Sequence, residues 1–283
     1  MTHRIPRAAQ PRLWRNIAMA SAAVAIASAV PLAADTAAKS DYTVMGAKLW
    51  LAQEATEGGE GGEGGESGAV AAPAAEDAAT GYLPMLLLIE GHLQVGVALY
   101  REGKGDLAIT HMKHPKDEIY SDLEVELTEY GAAGFADELA SLAEAVETGK
   151  PVAEVETAFA AVLAKVGDAK TKGDNEPRDV FEAIVSTVRI AADEFAIGIV
   201  DGKVANLHEY QDAWGFIYAS KDSATRLAAS ADPDVKAAAE KTLVALAEAE
   251  TAFNGLVPDA VEGNAFILQS AAAKIELAAS RIK

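Results

Sequence analysis

Cysteine is missing from all 283 residues, and that absence excludes disulfides, thiolate metal sites, iron–sulfur clusters and covalently attached c-type haem. Methionine is scarce as well. After the first 34 residues only Met45, Met85 and Met112 remain, which argues against a Met-rich copper site. Basic residues are few: 24 Lys and Arg stand against 43 Asp and Glu, for a formal net charge of −19. Such a surface repels nucleic acid and anionic lipid and draws cations towards it, besides keeping a protein in solution. Beyond the N-terminal segment no run reaches 18 uninterrupted apolar residues, so no transmembrane segment is expected in the mature chain. Gly-x-Ser-x-Gly is absent too, and nucleophilic hydrolysis has no support.

The N-terminus carries a secretory pattern. Arg4, Arg7, Arg12 and Arg15 form a basic start, Ile17 to Val30 is apolar, and small residues follow, with cleavage sites after Ala29 or Ala34. The apolar stretch falls short of the ~20 residues that a spanning helix needs, and the arginines are not paired as a twin-arginine signal requires. Residues 1–34 are therefore expected to be a cleaved signal peptide, with the periplasm as destination. Losing them removes four arginines and no acid, which takes the formal charge to −23. Residues 35–81 read as an acidic, Gly/Ala-rich linker. Glu57, Glu60, Glu63 and Glu66 alternate there with glycine pairs; glycine maximises backbone entropy and the glutamates repel one another, so an extended tether is expected.

From Tyr82 onward apolar residues recur at three- and four-residue spacing, and Gly or Pro marks the breaks. The expected fold is all-α: residues 82–283 form one domain, an antiparallel helical bundle with two bundle-like halves. Helices are expected at about 83–101, 106–114, 115–130, 136–148, 152–166, 178–200, from Asn206, from Pro233 to about 253, and at 264–282. Pro115 suits a first helical turn, where its missing N–H leaves no bond unmade. Asn206 to Glu209 resembles a capping box, and Asp232 before Pro233 reads as an N-cap. No convincing strand run is present.

Chemistry concentrates in the histidines, of which there are five. His111 and His114 are separated by about 300° of helical turn and project from nearly the same face. Glu118 continues that stripe if the helix runs through Pro115, and Asp117 serves if it stops there. His92, directly after Glu90 and Gly91, has Leu88, Ile89, Val95 and Leu99 as same-face neighbours and should point inward. The turn at Gly103 to Gly105 makes the first two helices antiparallel, and at about 1.5 Å per residue His92 comes level with His114. Gly91 and Gly96 permit a close helix approach. Imidazole and carboxylate together suit borderline or hard transition metals, so His92, His111, His114, Glu90, Asp117 and Glu118 form the candidate ligand set. The competing readings are a hydrogen-bonded core histidine for His92 and helix-end capping for the other two. His208, near Glu209 and Asp212, is read as a local cap or surface contact, with metal ligation as the alternative. Glu-x-x-His pairs of di-iron bundles and the zincin His-Glu-x-x-His are missing, which favours holding a metal over turning one over.

The stretch from Val188 to Phe216 resembles a helix-turn-helix unit of the extracytoplasmic helical domain of bacterial iron-permease proteins. The similar features are Asp201-Gly202-Lys203-Val204, the Glu209-Tyr210 pair and Phe216. It is also similar to the wider imelysin-type periplasmic bundles, although the Gly-x-His-x-x-Glu motif of those is not met: Gly91 and His92 are adjacent and Val95 stands in the acidic place. The resemblance implies a stand-alone periplasmic helical protein in metal handling and assigns no ligand. Tyr210, Trp214 and Ile217 follow helical spacing and read as core or interface.

Together these readings lead to a periplasmic, non-enzymatic protein that binds or delivers a transition metal ion, iron first, with copper or zinc as alternatives. A membrane transporter or another periplasmic protein is the expected partner. The alternative is a helical scaffold or adaptor that binds a membrane or protein partner without a metal site.

Overall fold

The computed structural model describes residues 81–173 and 175–283. The expected signal segment, and the linker except for Gly81, lie outside the described residues. Within them the chain is all-α save for one minimal hairpin. Helix α1 spans Tyr82–Arg101, α2 Gly105–His114, α3 Tyr120–Glu129, α4 Ala136–Glu147 and α5 Val152–Lys170. Helix α6 covers Pro177–Gly198, α7 Leu207–Ala228, α8 Pro233–Glu250 and α9 Ala265–Ala279. A π-helical turn, Pro115–Ile119, joins α2 to α3.

Helix α1 is the centre of the packing. Leu86, Leu88, Ile89, Leu93, Val95 and Leu99 are wholly buried, and each such side chain contributes roughly 1.5–3 kcal/mol through the water it excludes. Its length and composition would let it cross a membrane, but 83% of its most apolar window is buried inside the protein, as in a core helix. Around it pack α2, α5, α6 and α7. Helices α6 to α9 close a four-helix ring, in which α6 contacts α7 and α9 while α8 contacts the same two.

The crossing of α1 and α7 is unusually close. A Cβ on Gly215 would lie 2.3 Å from the Gly91 carbonyl oxygen, and one on Gly91 would lie 2.5 Å from the Phe216 ring. Only glycine fits on both sides. Farther along α1, Gly96 gives the same room to Met112 of α2. The two helices that carry His92 and the α7 donors are thereby pressed together.

Two local outcomes differ from the sequence reading. Helix α6 stops at Gly198, and Ile199–Val200 (β1) pairs antiparallel with Lys203–Val204 (β2). Asp201 and Gly202 both adopt positive φ, 51° and 72°, the two-residue turn for which Asp-Gly is suited. Helix α5, expected to end near Val166, runs on to Lys170. Gly167 does not break it, and the added turn buries Ala169 and brings Lys170 to Glu90.

Candidate metal centre

All four histidines of the described residues meet in one place. His92 comes from α1, His111 and His114 from α2, and His208 from the first turn of α7, where Asn206 Oδ1 accepts the His208 backbone N–H at 3.1 Å. The ring centroids of His92 lie 6.3 Å from His111 and 5.1 Å from His114, and His111 stacks on His208 at 4.4 Å. The antiparallel turn between α1 and α2 sets the level of the first three. The α1–α7 crossing brings in the fourth, while Phe216 holds the His92 ring edge-on at 5.1 Å.

At the middle stands Asp212, one turn after His208 on α7 and wholly buried. Its Oδ1 is 2.7 Å from His92 Nδ1 and 2.8 Å from His111 Nδ1, and its Oδ2 is 3.0 Å from His208 Nδ1. No lysine or arginine of the described residues pairs with it. Burial alone would raise its pKa, yet His92, His111 and His208 hold the carboxyl well below the usual range. Burial likewise favours neutral His208, but its pairing with the carboxylates of Asp212 and Glu209 outweighs that and pushes it up to about 10. Glu209 is lowered by its ion pair with His208, against the effect of burial, and by the neighbouring buried Glu194 of α6.

Gln211 fixes the chemistry of His111. Its amide nitrogen donates to the Leu256 carbonyl at 2.9 Å, and a carbonyl only accepts, so the Gln211 oxygen faces His111 Nε2 at 2.8 Å. That nitrogen must carry the hydrogen. In the neutral ring Nδ1 then presents a lone pair to the Asp212 carboxylate. Two acceptors face each other within 2.8 Å only with a cation between them, either a proton on the ring or a metal ion.

The six residues expected from the sequence divide. His92, His111 and His114 converge, and Glu118 joins them by pairing with His114 across the π-turn. The helix thus runs through Pro115 without stopping. The proline ring crowds the preceding turn and offers no N–H, and the wider turn accommodates both. Asp117 consequently stays exposed at the mouth of a surface pocket of about 390 Å³, which is also lined by His114, Glu118 and His208. Glu90 does not join, which corrects its place in the ligand set. It points away along α1 to Lys170 of α5, with Arg226 of α7 at 3.7 Å.

His208, Gln211 and Asp212 were missed as site residues. The signal was the i, i+4 spacing of His208 and Asp212, which places both on one face of α7; Glu209 beside them had invited a capping explanation. Asn206 does cap the helix, and its side-chain amide also reaches Glu209 Oε1 at 3.2 Å. Tyr210 and Ile217 are core residues, as their spacing implied, and Trp214 is half-buried against Tyr218.

Neither the curated proteins nor the solved structures contain a match to this chain. A family model does match, in the part where Val188 to Phe216 had suggested it; the imelysin resemblance has no counterpart in that match. Residues 171–281, which hold the α6–α9 ring and with it His208, Gln211 and Asp212, match the iron permease-associated 4-helix bundle domain.

Proposed function

We propose that this protein binds a transition metal ion, iron first, at the buried position between His92 Nδ1, His111 Nδ1 and Asp212 Oδ1, and that it holds or delivers the ion in iron uptake outside the cytoplasm. The observation that carries this reading is His111 Nδ1 held 2.8 Å from the Asp212 carboxylate while the Gln211–Leu256 bond assigns the hydrogen to Nε2. Two imidazoles and a carboxylate oxygen suit Fe, Zn or Cu, and an orienting partner on the far nitrogen of a ligand histidine is a recurrent feature of metal sites. The acidic chain and the iron permease-associated bundle support an iron context, with a membrane iron transporter as partner. Such a donor set holds an ion without requiring it to turn over a substrate.

The test uses the mature protein without a His tag. Metal content is measured as purified, and the thermal midpoint is measured with Fe, Cu, Zn and Mn added in turn. A metal that binds only the native state raises the midpoint. Absence of stoichiometric metal together with no shift for any of the four would refute the reading.

The scaffold alternative rests on a different feature. Phe266 and Leu277 are 77% and 76% exposed on α9, and their spacing of eleven residues puts them on one helix face. Retention on a partner that is indifferent to metal would favour it.

A further inference from the structure

We propose a second, outer cation position between His114 Nδ1 and His208 Nε2, so that the site takes two metal ions, one on either side of Asp212. This rests on the metal reading above and deepens it. His114 Nε2 pairs with a carboxylate oxygen of Glu118, and His208 Nδ1 lies 3.0 Å from Asp212 Oδ2. Ionised carboxylates only accept, so each of these ring nitrogens carries the hydrogen. In the neutral rings the remaining nitrogens, His114 Nδ1 and His208 Nε2, present lone pairs to one another across 3.3 Å. Only a cation reconciles them at that distance: the extra proton of a protonated His208 in the metal-free protein, or a metal ion that takes its place. Two imidazoles on one tetrahedral Zn²⁺, each at about 2.0–2.1 Å, have nitrogens about 3.3–3.4 Å apart.

The outer position differs from the inner one in access. His92, His111 and Asp212 are buried, whereas His114 and His208 line the surface pocket with Asp117, Glu118 and Thr110. Water or Asp117 can complete the outer coordination from that side. Lys113, also on the pocket wall, is turned to Glu147 at 2.9 Å and contributes no competing ion pair. Asp212 acts in both positions, as ligand through Oδ1 and as the group that orients His208 through Oδ2. The ligand class is a divalent transition metal with a preference for imidazole. The outer position is the one that meets solvent, and the inner one keeps the ion.

The untagged protein, stripped of metal by a chelator, is titrated with Zn²⁺ by calorimetry and counted by native mass spectrometry. Two ions per chain are expected, the outer leaving first on addition of EDTA. At the pocket rim His114→Ala removes an outer donor and Glu118→Gln the carboxylate that orients it, neither opening the core; each should weaken the outer ion at least tenfold and leave the inner one bound. A single ion in the wild type, retained unchanged by His114→Ala, overturns the second position and leaves the inner one standing. Two ions of unchanged affinity in both variants overturn its placement. No bound ion at all overturns the reading under Proposed function as well.

Discussion

Glu90 and His92 lie two residues apart on α1, both buried, and they open onto two very different charge clusters. Around Glu90 the chain supplies cationic side chains of its own, Lys170 and Arg226. Around His92 the carboxylate of Asp212 meets only imidazoles, whose charge depends on a proton that a metal can replace. The first cluster is closed and structural. On the metal reading proposed above, the second is completed by an exchangeable ion, and the difference lies in which side chains the neighbouring helices deliver, not in burial.

The largest effect should come from breaking the closed cluster. Glu90→Gln strands Lys170, and losing one partner of a buried ion pair costs about 3–5 kcal/mol; urea unfolding should show this, with metal affinity unchanged. A metal affinity that collapsed with it would erase the distinction. Asp212→Asn should do the reverse to binding, lowering metal affinity about 100-fold or more, beyond the 10–100-fold typical of a supporting residue; calorimetry checks it. Gly215→Ala forces a methyl group against the Gly91 carbonyl and should cost up to about 3 kcal/mol by overpacking. Because it spreads the α1–α7 crossing, it should weaken metal binding too, unlike Glu90→Gln. Gln211→Leu frees the His111 ring, with an expected loss of about tenfold in affinity.

A pH series gives the smallest and most continuous separation. His208 is raised to about 10, so the stability linked to its proton is fully present below its unfolded value near ~6.5 and is lost as pH rises towards 10. Asp212 is lowered, so its share is present above about 3.8 and fails only in stronger acid. The thermal midpoint of the metal-free protein should therefore fall between pH 7 and 10. Metal binding runs the other way, because ligand imidazoles must be free of protons. The midpoint gain on adding metal should grow over the same range, and a gain independent of pH would remove histidine from the ligand set.

Much of the fold was legible from local signals. Asn206 and Asp232 cap the helices they were expected to cap, and Gly103, Gly131 and Gly149 take positive φ at helix ends. The Asp201-Gly202 hairpin was written in the sequence as well, but two-residue strands carry no alternation to detect. Gly167 was overread: a glycine weakens a helix without ending it, and burial of Ala169 beyond it carries α5 onward. Within the site, His92, His111 and His114 were accessible because one short turn fixes their relative level. His208 and Asp212 were not, since they lie about a hundred residues away and only the packing of α7 on α1 brings them in. Glu90 failed for the same reason in reverse: Lys170, eighty residues later, claims it.

The donors come from two stretches of chain that are far apart in sequence. His92, His111 and His114 precede the family-matched bundle, while His208 and Asp212 belong to it. On the proposed reading, an ion held between them would be a rivet through the seam, and some of its binding free energy would go into keeping the two stretches docked. The bundle cut out as residues 171–281 keeps one histidine and one aspartate of the cluster, too few to grip an ion alone. Proteins that share only the bundle therefore need not share the site, and occupancy in this chain would double as a report on whether the two stretches are engaged.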